Sequence, residues 1–211
     1  MVRRGVTGAI LAVAVGLGAA GCGDDDTSEP VTTTTHPSQP PLPGNTECTV
    51  TTVTGLTPPE AKHVTLCSSV SYPTNPPSGG AHWAVWAAYK KFSTAVPRPM
   101  YVHNEEHGGV VLAYRCPEGC PDVVAALGDV YDKAASDPSC SGAVRARLVL
   151  TPDPDLPTPI ALAAWGATYV ATCIDPPSLA SFVSSHYGQG PEDTCADGDD
   201  IEGATNPCSG G

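Results

Sequence analysis

Basic residues are scarce in this sequence. Ten Lys and Arg stand against 22 Asp and Glu, for a formal net charge of -12. Nucleic acid and anionic lipid headgroups are therefore poor partners, because both would be repelled. No run of roughly 20 apolar residues, the length a membrane-spanning helix needs, is present either. The apolar-rich run at residues 5–20 falls short of that, so no segment is expected to span a membrane. No two cysteines take the CxxC spacing, which leaves out a thioredoxin-type redox pair and a thiolate zinc knuckle. An internal repeat is also missing, and Asp197-Gly198-Asp199-Asp200 lacks the spacing and terminal Glu of an EF-hand.

The start of the chain carries an export signal. Arg3 and Arg4 precede the uncharged run, which ends at Ala19-Ala20-Gly21-Cys22. A charged start, an apolar middle and small residues before the cut describe a secretory signal peptide over residues 1–21. The cysteine that follows resembles a bacterial lipobox, with Ala19 where Leu is usual. That resemblance implies lipid on Cys22 and a membrane anchor outside the cytoplasm. The alternative is an ordinary signal peptide with Cys22 as a spare thiol. Loss of Arg3 and Arg4 with the signal makes the mature chain two units more negative.

Setting Cys22 aside leaves Cys48, Cys67, Cys116, Cys120, Cys140, Cys173, Cys195 and Cys208. An even set of this size implies four disulfides and an oxidising compartment. Proximity in sequence favours Cys48 with Cys67, Cys116 with Cys120, and Cys195 with Cys208, leaving Cys140 with Cys173. Residues 22–45 are rich in Asp, Ser, Thr and Pro, and are expected to be a disordered tether. Residues 46–190 then form one domain, and residues 191–211 an acidic tail closed by Cys195 and Cys208.

Within the domain a short β-leaning run at residues 63–67 precedes a Pro-Gly-rich loop at 72–80. The β-branched run Val110-Val111-Leu112-Ala113-Tyr114 predicts a strand. Val123, Ala126, Leu127, Val130 and Tyr131 recur at helical spacing, behind Pro121 and Asp122 at the positive end, and predict a helix over 121–135. Strands are expected at 146–150 and 160–166, the latter continuing as a hairpin into 168–172. A last helix is expected at 177–187. The order β-α-β-β-α, with two main helices against one sheet, reads as a compact, disulfide-stapled α+β domain.

His82 closes the Pro-Gly loop, while His103 and His107 bracket Asn104-Glu105-Glu106 ahead of Gly108-Gly109. Three neutral imidazoles suit zinc or copper and leave a fourth position for water or substrate. On an extended strand His103 and His107 would lie roughly 13 Å apart, too far for one ion. A helical turn, capped by Asn104 and ended by Gly108, would bring them together. The string also matches the HxxEH pattern of one zinc peptidase group, in which Glu activates the metal-bound water. Gly108-Gly109 and the β-branched run after them would end that group's longer helix at once, which argues against a peptidase. Glu105 or Glu106 reads better as an extra metal ligand, or as a partner that orients a histidine, than as a catalytic base, and Glu106 is taken as the orienting partner. His36 and His63 read as solvated or structural residues, and His186 as helix packing. Met100 reads either as a soft Cu(I) ligand or as packing.

The strings Tyr72-Pro73-Thr74-Asn75-Pro76-Pro77-Ser78-Gly79-Gly80-Ala81-His82-Trp83 and Val102-His103-Asn104-Glu105-Glu106-His107-Gly108-Gly109-Val110-Val111 together resemble a bacterial family called domain of unknown function 3105. Ala164-Trp165-Gly166 fits a later element, so the likeness covers roughly residues 60–190. His82, His103, Glu106 and His107 match the family pattern, whereas an apolar residue often stands where Glu105 is. The resemblance implies an exported or membrane-tethered domain and brings no activity with it. From the residues, three functions are open: an envelope lipoprotein with a His-based copper or zinc site, a non-catalytic structural or interaction module, and a metal-assisted hydrolase or oxidase. No protein partner is indicated.

Overall fold

The computed structural model of the protein describes residues 29–202 together with Cys208. The expected signal peptide, Cys22 and most of the last residues of the chain lie outside the described residues. The fold is α+β, with a six-stranded mixed sheet in the order β1-β2-β8-β7-β5-β6. These strands are β1 (Val31–Thr35), β2 (Val50–Thr54), β5 (Val110–Tyr114), β6 (Leu148–Pro152), β7 (Ile160–Ala164) and β8 (Ala167–Ala171). A separate two-stranded parallel ribbon pairs β3 (His63–Val64) with β4 (His82–Trp83). The helices are α1 (Arg98–Glu106), α2 (Pro121–Lys133) and α3 (Pro176–His186). Among the described residues no helix is long and apolar enough to cross a membrane.

The central strands are buried on both faces, which is why they read as nearly continuous apolar runs. Val110, Leu112, Leu148, Leu150, Ile160 and Leu162 point to a core shared with Val123 and Leu127 of α2 and Leu179 and Phe182 of α3. The alternate residues Val111, Ala113, Val149, Ala161 and Ala163 point to a second core containing Met100, Tyr101 and Val102 of α1. The two-residue strand period thus divides one sheet between two apolar layers. Met100 is buried in that packing. β5 and β6 run parallel because α2 crosses between them, and the remaining pairings are antiparallel. From residue 110 onward the chain follows β-α-β-β-β-α, with the expected 160–172 hairpin counted as two strands and β6 two residues later than the sequence pattern indicates.

Three expectations need correction. Residues 22–45 are not a disordered tether throughout, since Val31–Thr35 forms an edge strand, exposed along its length, on β2. Low hydrophobicity does not prevent this, because β-branched Thr suits a strand and the ladder of β2 supplies the backbone partners. Thr33 stands opposite Thr52, and the Thr34 and Thr51 hydroxyls lie 3.1 Å apart. Disulfide pairing by proximity holds only for Cys116–Cys120; the others are Cys48–Cys173, Cys67–Cys208 and Cys140–Cys195. Topology brings distant cysteines together: the β2–β8 register of Val50 with Ala171 carries Cys48 opposite Cys173. The acidic tail is consequently not closed on itself, but is stapled to the body, with Asp199 bridging Ala87 and Ile201 buried. Four disulfides belong to an oxidising environment.

Candidate metal centre

α1 sets the geometry of the site. Pro97 stands at its N-cap and Pro99 within its first turn, where a missing N–H costs nothing. The helix therefore starts well before the single turn expected around residue 104. Asn104 is not its cap but sits inside it, where its Nδ2 donates to the Ala87 carbonyl at 2.7 Å and its Oδ1 accepts from the Ala87 N–H at 3.0 Å. This clamp holds Trp86 over the rings of His103 and His107, with centroids 5.1 and 4.8 Å apart. Gly108, in the left-handed region at φ 75°, ends the helix and returns its N–H to the Glu105 carbonyl. His103 and His107, one turn apart, have ring centroids separated by 4.5 Å.

The ribbon brings in the other histidines. His82 stands opposite His63 in the β3–β4 register, and its ring centroid lies 4.6 Å from that of His103 and 5.1 Å from that of His63. Nδ1 of His82 lies 2.8 Å from the Gly80 carbonyl, and Nδ1 of His103 lies 2.7 Å from the Trp83 carbonyl. A carbonyl can only accept, so both Nδ1 atoms carry a proton, and in the neutral ring this leaves Nε2 with a lone pair. Those lone pairs converge on one carboxylate: Glu106 Oε2 is 2.9 Å from His82 Nε2, 3.8 Å from His103 Nε2 and 4.0 Å from His63 Nε2. His82, His103 and Glu106 are buried, while the His63 side chain is 56% exposed and forms the outer wall.

With the imidazoles neutral, no Lys or Arg among the described residues pairs with Glu106 to offset this meeting of acceptors. His82 Nε2 and Glu106 Oε2, although 2.9 Å apart, both lack a hydrogen-bond partner. Buried polar atoms are nearly always satisfied, and a proton or a cation between the two would satisfy this pair. Burial, reinforced by the neighbouring His107, His82 and His63 imidazoles, pulls the pKa of His103 down to about 4 against the hydrogen bond to Trp83. The ring is thus neutral, and able to ligate, above that pH. His63, His82, His103 and Glu106 each offer one atom within 4.8 Å of all the others and could hold a metal ion. Bonds of about 2.0 to 2.1 Å in a tetrahedron place ligand atoms roughly 3.3 Å apart, so only small adjustments separate this cluster from a ligated one.

His82 and His103 thus lie in one group with His63 and Glu106, whereas His107 falls in a neighbouring group with Glu106 and Glu192. The residue that sequence reasoning passed over is His63, because nothing in its local spacing links it to His82 across the ribbon. Glu105 lies in neither group, and its side chain is completely buried. His36 is exposed beside Glu47, and His186 packs on Phe182 with ring centroids 4.5 Å apart. Asp200 is engaged by Lys90.

A family model described as Protein of unknown function (DUF3105) matches residues 63–198. The chain belongs to this family. The match begins at His63 and contains every residue of both clusters. No curated protein and no solved structure matches the chain.

Proposed function

We propose that the protein is an exported lipoprotein whose DUF3105 domain binds one zinc or copper ion through His63, His82, His103 and Glu106. The observation that carries this reading is the convergence of the imidazole Nε2 atoms on Glu106 Oε2, with His82 and His103 locked in the ligating tautomer by backbone carbonyls. A carbonyl on the far ring nitrogen is the usual device for orienting a ligand histidine. Nitrogen donors with one carboxylate, and no thiolate, suit Zn(II) and Cu(II) better than Cu(I). Four protein ligands complete a tetrahedral set, which favours holding an ion over hydrolysis. Only His63 faces solvent, so an ion would enter and leave past that residue.

The test is elemental analysis of the purified soluble domain, followed by titration with Zn(II) and Cu(II) after chelation. One tightly bound ion is expected at this cluster. His82→Ala and His103→Ala should each weaken binding by more than about 100-fold, beyond the 10- to 100-fold typical of an outer-shell residue. His36→Ala and His186→Ala should leave it unchanged. A chain that takes up neither metal would return the histidines to a structural role.

Lipid anchoring is supported by the signal peptide and Cys22, and by four disulfides that suit export. Cys22→Ser should abolish incorporation of labelled lipid and release the protein from the membrane fraction. Undiminished labelling would refute the anchor.

A further inference from the structure

The tail segment after α3 docks against the end of α1 at a distance that only glycines permit. Gly188 donates its N–H to the Gly108 carbonyl at 2.8 Å, and Glu192 donates to the Glu106 carbonyl at 2.9 Å. A Cβ at Gly190 would overlap the Gly108 nitrogen and the Glu105 and Glu106 carbonyls. Arg147 ties the same junction, donating from Nη1 to the His107 carbonyl and to Asp193 Oδ1 at 2.9 and 2.7 Å. These bonds bring the backbone of residue 192 up to the end of α1, and Glu192 Oε2 lies 3.4 Å from His107 Nε2.

Glu106, His107 and Glu192 offer ligand atoms within 4.8 Å of one another. His107 is only 3% exposed, and its Nδ1 has no hydrogen-bond partner. The other ring nitrogen, Nε2, is the one that faces the Glu192 carboxylate. Glu106 belongs to this group and to the histidine cluster alike. A carboxylate has two oxygens and about four lone-pair positions, so it can serve two cations at once.

We propose that Glu106 bridges two cations, one held by His63, His82 and His103 and the other by His107 and Glu192. This rests on the first ion proposed above and adds a second. The second site has three protein ligands, and the Glu192 side chain is 54% exposed, so it has room for water or a small anion. Two divalent ions about 4 Å apart repel strongly even at an effective dielectric constant of 20, so filling is sequential and the second step weaker. The acidic tail, with six Asp and Glu between residues 192 and 202, offsets part of that repulsion and draws cations to the opening.

The experiment is a Zn(II) titration of the chelated, full mature chain in competition with a chromophoric chelator. A parallel Cu(II) titration is followed by electron paramagnetic resonance. Wild type is expected to take two ions in a strong and a weaker step, with the Cu(II) signal falling as the second ion couples to the first. Glu192→Gln, a mild change at an exposed side chain, should remove the second step and the coupling while keeping the first. His107→Ala should do the same, and His82→Ala should remove the strong step. A wild type that binds one ion with strength unaffected by Glu192→Gln overturns the bridged pair and leaves the single-ion reading standing. No uptake by wild type overturns both. Two ions that persist in Glu192→Gln and His107→Ala would put the second site elsewhere and also overturn the proposal.

Discussion

Replacing Cys48 and Cys173 together by alanine should cost about 5 kcal/mol of unfolding free energy, against about 2 kcal/mol for replacing Cys116 and Cys120. The difference follows from the unfolded chain. The first pair spans 125 positions and the second only 4, and the loop entropy removed from the unfolded ensemble grows with the logarithm of that span. Little native geometry changes on removal of the first pair, because the β2–β8 ladder already sets the two residues opposite each other, with Thr172 N–H bonded to the Thr49 carbonyl. Cys67–Cys208, spanning 141 positions, should behave like the first pair. Denaturant unfolding of the three double variants, with chelator present to separate this effect from metal binding, gives the ranking. Equal losses from the long and short pairs would contradict it, and peptide mapping of the oxidised protein should recover these connections rather than Cys48–Cys67.

Glu105→Leu should stabilise the protein near pH 7 by about 1 to 3 kcal/mol, the usual cost of a buried polar group left unpaired. Both carboxylate oxygens are buried without a hydrogen-bond partner, and burial pushes the Glu105 pKa well above the usual carboxylate range. Above about pH 4.5 the unfolded chain releases this proton while the folded chain keeps it, so stability falls as pH rises beyond that point. The advantage of the variant should therefore be smaller at pH 4.5 and grow towards neutrality. Glu105→Gln, which has no proton to lose, should remove the same slope while retaining a polar group. Melting curves of wild type and both variants at pH 4.5 and 7.5 test this, and parallel pH profiles for all three would contradict it.

The β5-α2-β6-β7-β8-α3 stretch was readable because each element carries its own periodicity and is bounded by Pro, Gly or Asp. The early part of the domain was harder. Pro97 and Pro99 look like turn residues until they are seen as the first turn of α1. The Thr-rich β1 has too little apolar character to announce itself, and becomes a strand only because β2 offers a free edge. Asn104 looks like a cap and is instead a buried clamp on Ala87, a role set by a contact 17 positions away.

The site divides along the same line. Local spacing sufficed for His103, Glu106 and His107, since one helical turn puts residues three and four apart on the same face. His82 was marked by its place at the end of the Pro-Gly loop. His63 gained its place only through the parallel pairing of two-residue strands, and Glu192 only through the close docking of Gly190 on the end of α1. Helical and strand periods, export signals and an even cysteine count are properties of neighbouring residues or of simple sums, so they can be read along the chain. Disulfide partners, the wall of the metal pocket and the carboxylate beside His107 depend on segments far apart in sequence. Those contacts form only when the sheet and its two apolar layers close, which decides which side chains meet.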